Sequence, residues 1–186
     1  MRCSVALALC ASAVLAAGAA RADDATEGHA EHALRGFRYV LKPALAYDYA
    51  AGPLSGQDVT FAISDHIGWA IPLGPLVVSP GASLPIYFFS NNVTLAILAE
   101  AELHLPLRWV SPYVVVGGGG AFFFGGSNDT VGNGTPKPNQ QGGVFRAGGG
   151  LTAWPLRWLG VGGQIAYLRM AILDIVEVSW PIELRF

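Results

Sequence analysis

The sequence predicts an all-β chain: an eight-stranded antiparallel up-and-down barrel that crosses a membrane. Three observations predict it. The chain is 52% hydrophobic and only 13% charged, with a mean hydropathy of +0.42, whereas a soluble domain carries about 25% charged residues. Past the first 22 residues no uninterrupted apolar run reaches the roughly 18 residues that a membrane-spanning helix needs. Instead, apolar and polar residues alternate with period two, as in GFRYVLKPALAYD (36–48), VTLAILAEAELHLP (93–106) and VEVSWPIELRF (176–186). A chain too apolar for water and without spanning helices can satisfy its backbone in lipid only by closing a barrel.

The N-terminus supplies the context. Arg2, the small and apolar run Val5 to Ala20, and the small-x-small site Ala20-Arg21-Ala22 read as a cleaved secretory signal peptide over 1–22. Cys3 and Cys10 both lie in that segment, so no disulfide, thiol nucleophile or cysteine metal site is expected in the mature chain. Residues 23–35 (DDATEGHAEHALR) are acidic, show no alternation, and read as a flexible periplasmic leader; His29 and His32 within it are read as solvated, not as metal ligands. The barrel domain is expected over 36–186. The net charge of −2 gives no reason to expect nucleic acid as a partner.

The strands follow in order. The first spans 36–48, with Phe37, Tyr39, Leu41, Pro43, Leu45 and Tyr47 on one apolar face. Val59–Ile71 and Leu76–Phe89 read as a hairpin about a turn at 72–75. Asp65 falls there on the apolar parity, so either a bulge shifts the register near Ser64–His66 or the turn itself lies at Ser64-Asp65-His66. Residues 93–106 and 112–124 form the next pair, then 144–155, 160–172 and 176–186. The motif PLRW recurs at both 106–109 and 155–158, between strands, as hairpin turns of a meander do. Short turns (72–75, 107–111, 156–159) alternate with mostly longer connections, above all 125–143, the asymmetry of outer-membrane barrels. Phe37, Trp69, Trp109, Tyr113, Trp154, Trp158 and Phe186 are expected in an aromatic belt at the short-turn end. Tyr47, Tyr87, Phe88, Phe122, Phe123 and Phe124 are expected in one at the other end. Prolines at 43, 80, 85, 112, 155 and 181 each remove a ladder donor and are expected at bulges or strand ends.

The signal ending in Ala-Arg-Ala, the glycine-rich strand SPYVVVGGGG (111–120) after a short turn, and the terminal VEVSWPIELRF together resemble the small outer-membrane β-barrels of the OmpA-, OmpX- and OmpW-like group. The resemblance implies a bacterial outer-membrane location with lipid as surroundings. It also implies that Trp180, Ile182, Leu184 and Phe186 act as an assembly signal recognised by the barrel-assembly machinery.

The only polar constellation is the inward parity: Arg38, Lys42, Glu100, Glu102, His104, Arg146, Glu177, Glu183 and Arg185. An eight-stranded barrel is filled by its own side chains, and buried charges there must pair. Because the last strand closes on the first, Glu183 is expected beside Arg38 and Lys42. Glu100, Glu102 and His104 share one face, but no serine–histidine motif accompanies them, so no catalytic residues and no enzymatic activity are expected. The glycine runs lack the GK[ST] of a phosphate loop, and neither a cofactor nor a metal is expected. The expected function is a structural or surface-interaction role for a barrel plugged by salt bridges. A narrow small-solute channel, or a soluble exported β-barrel binding an apolar ligand, are the alternatives.

Overall fold

A computed structural model describes residues 34–48, 59–89, 92–125, 141–170 and 173–185. The strands are β1 (Gly36–Asp48), β2 (Thr60–Leu73), β3 (Leu76–Phe88), β4 (Asn92–His104), β5 (Val110–Gly125), β6 (Gln141–Leu156), β7 (Leu159–Met170), β8 (Leu173–Ser179) and β9 (Ile182–Arg185). Each strand from β1 to β7 pairs antiparallel with the next, and β9 continues the line of β8, pairing like it with β7. β1 closes the ring by pairing with β2 on one side and with β8 and β9 on the other. There are therefore eight staves, the eighth made of β8 and β9. Among the described residues no helix is long and apolar enough to cross a membrane.

The stagger of the ring follows from the register. One ladder row runs Gly160, Glu183, Val40, His66, Ser83, Leu98, Gly119, Val144 and returns to β7 at Met170. It leaves β7 at 160 and regains it at 170, a shear of ten residues. With eight strands this tilts each stave by about 40° from the axis, and every row climbs toward the long-connection end in the direction β7, β8, β1, β2.

Alternation then decides the faces. Trp69, Phe145 and Ile165 are 57%, 53% and 61% exposed on the outer wall, while their sequence neighbours Ala70, Arg146 and Ala166 are buried within. The apolar side looks outward, which is opposite to what a soluble barrel holding an apolar ligand needs. Trp69 and Phe37 ring the short-turn end, and Phe61 stacks on Phe88 near the other, with centroids 6.2 Å apart. Four aromatics assigned to those belts do not belong there. Tyr113, Trp154, Tyr87 and Phe123 are buried inside the barrel, because their parity places them inward whatever their distance from a turn.

Three further expectations need correction. β2 pairs with β1 in one unbroken register from Ala70 to Thr60, so neither a bulge nor a turn lies at 64–66. The turn is at Gly74–Pro75, where Gly74 has φ of 63°, a conformation suited to glycine. Asp65 does face outward, and the Tyr39 hydroxyl on the adjacent strand donates to its Oδ1 at 2.8 Å. The last stave breaks at Trp180–Pro181. Trp180 N donates to Pro43 O and Gly162 N to Pro181 O, both at 2.9 Å, so the register runs on although each proline leaves one ladder bond unmade. Pro43, Pro80, Pro85 and Pro112 likewise sit within strands, and only Pro155 lies in a register shift, between Ala153 and Leu156. A proline keeps its carbonyl in the ladder, so one missing donor does not end a strand held on both sides. β6 begins at Gln141, three residues before the expected 144.

Leu34, just ahead of β1, is fully buried with Ala70, Val77 and Trp154 at the short-turn end. The signal segment 1–22, the leader through Ala33 with His29 and His32, and Phe186 lie outside the described residues.

Candidate functional site in the barrel interior

The inner wall has three zones. At the long-connection end Ala44, Ala46, Ala62, Ala96, Leu98, Phe123, Leu168, Met170 and Ile175 pack into an apolar cap. Leu34, Ala70, Val77 and Trp154 form a smaller one at the short-turn end. Between them lie all nine of the inward ionisable residues expected from parity, each buried, the most exposed being Arg185 at 8%.

The charges form two clusters. In the first, Arg38 from β1 donates through Nε to Glu183 Oε1 at 2.6 Å and through Nη1 to Glu102 Oε2 at 2.5 Å and His104 Nε2 at 2.8 Å. Lys42 Nζ donates to the other Glu102 oxygen at 3.0 Å. Arg185 Nη2 lies 2.6 Å from Glu183 Oε1, and its guanidinium sits 5.2 Å over the Trp154 ring. Lys42 thus pairs with Glu102 and not with Glu183 as expected. Arg185, two residues beyond Glu183 on the same face, takes the place beside Glu183 that adjacency of the first and last strands had assigned to Lys42.

In the second cluster Arg146 from β6 forks, donating through Nη1 to Glu100 Oε1 at 2.9 Å and through Nη2 to Glu177 Oε1 at 2.5 Å. Tyr87 donates to the other Glu177 oxygen at 2.8 Å, and His66 Nδ1 lies 3.2 Å from Glu100 Oε2. The first cluster has three cations for two carboxylates and the second has one for two. With the histidines neutral, the four positive and four negative charges cancel. Such cancellation, with hydrogen bonds on the remaining lone pairs, is what lets charges stay in a dry interior.

Sequence reasoning missed four polar members. His66 belongs to the inward parity of β2, and it was hidden by the doubt over register at Asp65. Tyr87 and Tyr113 were assigned to the belts; Tyr113 instead stacks on His104 at 4.9 Å and donates to Gln164 Oε1 at 2.9 Å. Gln164 carries no charge to flag it. His66, Glu100 and Glu102 bring one ligand atom each within 4.8 Å of one another, the set among the described residues nearest to a metal-binding arrangement. Both carboxylates are already engaged by Arg146, Arg38 and Lys42, which a divalent ion would have to displace. Of the expected assembly residues, Trp180 and Ile182 are exposed on the outer wall and Leu184 is half-buried there.

No family model matches the chain, and no curated protein matches it. Solved structures do. Neisserial surface protein A superposes with a TM-score of 0.56 at 13% identity, over 81% of this chain and 96% of that one. The outer membrane enzyme PagL gives 0.52 at 12%, over 79% and 99%. Ail, the attachment invasion locus protein of Yersinia pestis, gives 0.52 at 12%, over 82% and 99%. This chain has the fold of the small outer-membrane β-barrels. That fold corrects one expectation, that the protein is not an enzyme. PagL has the same architecture and is an enzyme, so the barrel by itself does not exclude catalysis. A reaction needs only a few side chains placed on a wall, and the wall does not reveal them by its fold.

Proposed function

We propose that the protein is an integral barrel of the bacterial outer membrane, exported by a cleaved signal peptide, with its interior sealed by the ion-pair network. Its role is structural or one of surface interaction, carried by the connections at the long-connection end. The observation that carries this reading is the burial and mutual pairing of four cations and four carboxylates between two apolar caps. The surface role draws on fold neighbours that are a surface protein and an attachment invasion locus protein. Refolded protein in a planar bilayer is expected to show no stepwise conductance. A narrow conduit is the competing reading, and one feature favours it. The Ser64, Ser79 and Ser83 hydroxyls and His66 Nε2 form a polar strip along β2 and β3 that is buried and makes no hydrogen bond among the described residues. Groups of this kind are commonly satisfied by water. Discrete channel openings would establish the conduit and remove the seal.

The terminal segment is the proposed address for the barrel-assembly machinery, with Trp180, Ile182, Leu184 and Phe186 as the residues recognised. Phe186→Asp is expected to leave the chain unfolded in the periplasm, read as loss of the heat-modifiable band from envelope fractions. Normal envelope insertion of that variant would end the proposal.

A further inference from the structure

Among the described residues, the middle of the outer wall carries two groups that hydrocarbon does not suit, and the register sets them at one depth. Asp65 lies midway along β2, four residues from Phe61 toward one interface and four from Trp69 toward the other. A carboxyl at mid-bilayer is costly and marks a functional position. Among the described residues it accepts from the Tyr39 hydroxyl. Trp180, on the other side of β1, is 49% exposed, although an indole prefers the interface, where its N–H finds an acceptor.

Trp180, Pro43 and Ile63 share one ladder row, through the Trp180 N to Pro43 O bond and the Pro43–Ile63 pair. With ten residues of climb over eight strands, Ile63 stands 2.5 residues above Trp180, and Asp65 is two residues below Ile63 on the same strand. The difference is half a residue, about 1 Å along the axis. The donor and the acceptor therefore lie at equal depth, one strand to each side of β1. Lipid headgroups do not reach this depth, so lipid offers neither group a partner.

A two-fold axis parallel to the barrel axis preserves depth and exchanges left for right. Set in front of β1, it brings the β8–β9 side of one copy against the β2 side of the other. We propose that two copies of this chain associate in the membrane about such an axis. Leu41 and Pro43 sit at the centre, and each Trp180 indole N–H donates to the Asp65 carboxyl of the other copy. The contact is isologous, as a closed dimer requires. Barrel walls curve apart on either side of the contact line, and an indole is long enough to bridge the gap. The proposal rests on the reading that this wall faces lipid.

Cysteine cross-linking of the full chain in envelope membranes tests both levels, since residues 23–186 contain no cysteine. Leu41→Cys is expected to give a disulfide-linked dimer on mild oxidation. Val116→Cys, on the opposite wall, is expected to remain monomeric. Trp180→Phe or Asp65→Leu in the Leu41→Cys background is expected to weaken dimerisation about tenfold, the equivalent of about 1.4 kcal/mol shared by two intramembrane hydrogen bonds. Heat modifiability of each variant confirms that its barrel is folded. The dimer is refuted if folded Leu41→Cys stays monomeric, links to a different protein, links no better than Val116→Cys, or is indifferent to both substitutions. Recovery of the chain in the soluble fraction would instead refute the membrane reading.

Discussion

Arg146→Met is expected to cost the barrel about 3–5 kcal/mol, the usual penalty for leaving buried charge without its counter-ion. Arg146 is fully buried, and among the described residues its fork is the one arginine or lysine paired with Glu100 and with Glu177. Methionine fills the space but donates nothing. Glu177 would keep only the Tyr87 hydroxyl and Glu100 only His66, which do not replace a full positive charge. Arg146→Lys should lose less, because charge is kept while the simultaneous reach to two carboxylates is not. Urea unfolding of the refolded barrel in detergent, followed by tryptophan fluorescence, measures all three. The decisive comparison is Arg146→Met with Glu177→Gln, which removes a stranded charge and should recover part of the loss. A single-variant loss under about 1 kcal/mol would mean that Arg146 meets water.

Gly119→Ala should be as damaging, for a steric reason. A Cβ at 119 would drive into the carbonyl of Ile97 on β4, where the two backbones approach too closely for any side chain. Relief requires opening the β4–β5 ladder near Leu98, its pairing partner. Gly118→Ala, one residue earlier, is expected to be tolerated, since its nearest neighbour, the Val144 carbonyl, is 3.5 Å away. Folding yield by heat modifiability separates the two. Equal yields would show that the close approach relaxes freely.

Period-two alternation was enough to place β1 at 36–48 and to list nine inward ionisable residues, all of which are buried. It worked because a two-sided wall in lipid leaves each residue one of two environments, and a charge and a leucine choose oppositely. The same rule failed where another signal was preferred to it. Tyr113 and Trp154 sit near turns and were assigned to a belt, yet parity alone places them inside. At Asp65 an outward charge looked like a register error, although the strand is straight and Tyr39 meets the carboxyl from the next stave.

The sequence by itself determined that the strands are amphipathic, which face of each is apolar, and which charges must be buried. Closure of the last strand on the first was enough to expect Arg38 beside Glu183, but the other pairings were not determined, because they depend on depth as well as on face. Depth is set by the ten-residue stagger of the closed ring, which lifts each stave relative to the last. Arg38 therefore meets Glu183 across 145 residues of chain, while Lys42, four residues farther up the same strand, has risen past Glu183 and meets Glu102. Closure is a property of all eight staves together, and no local segment encodes it.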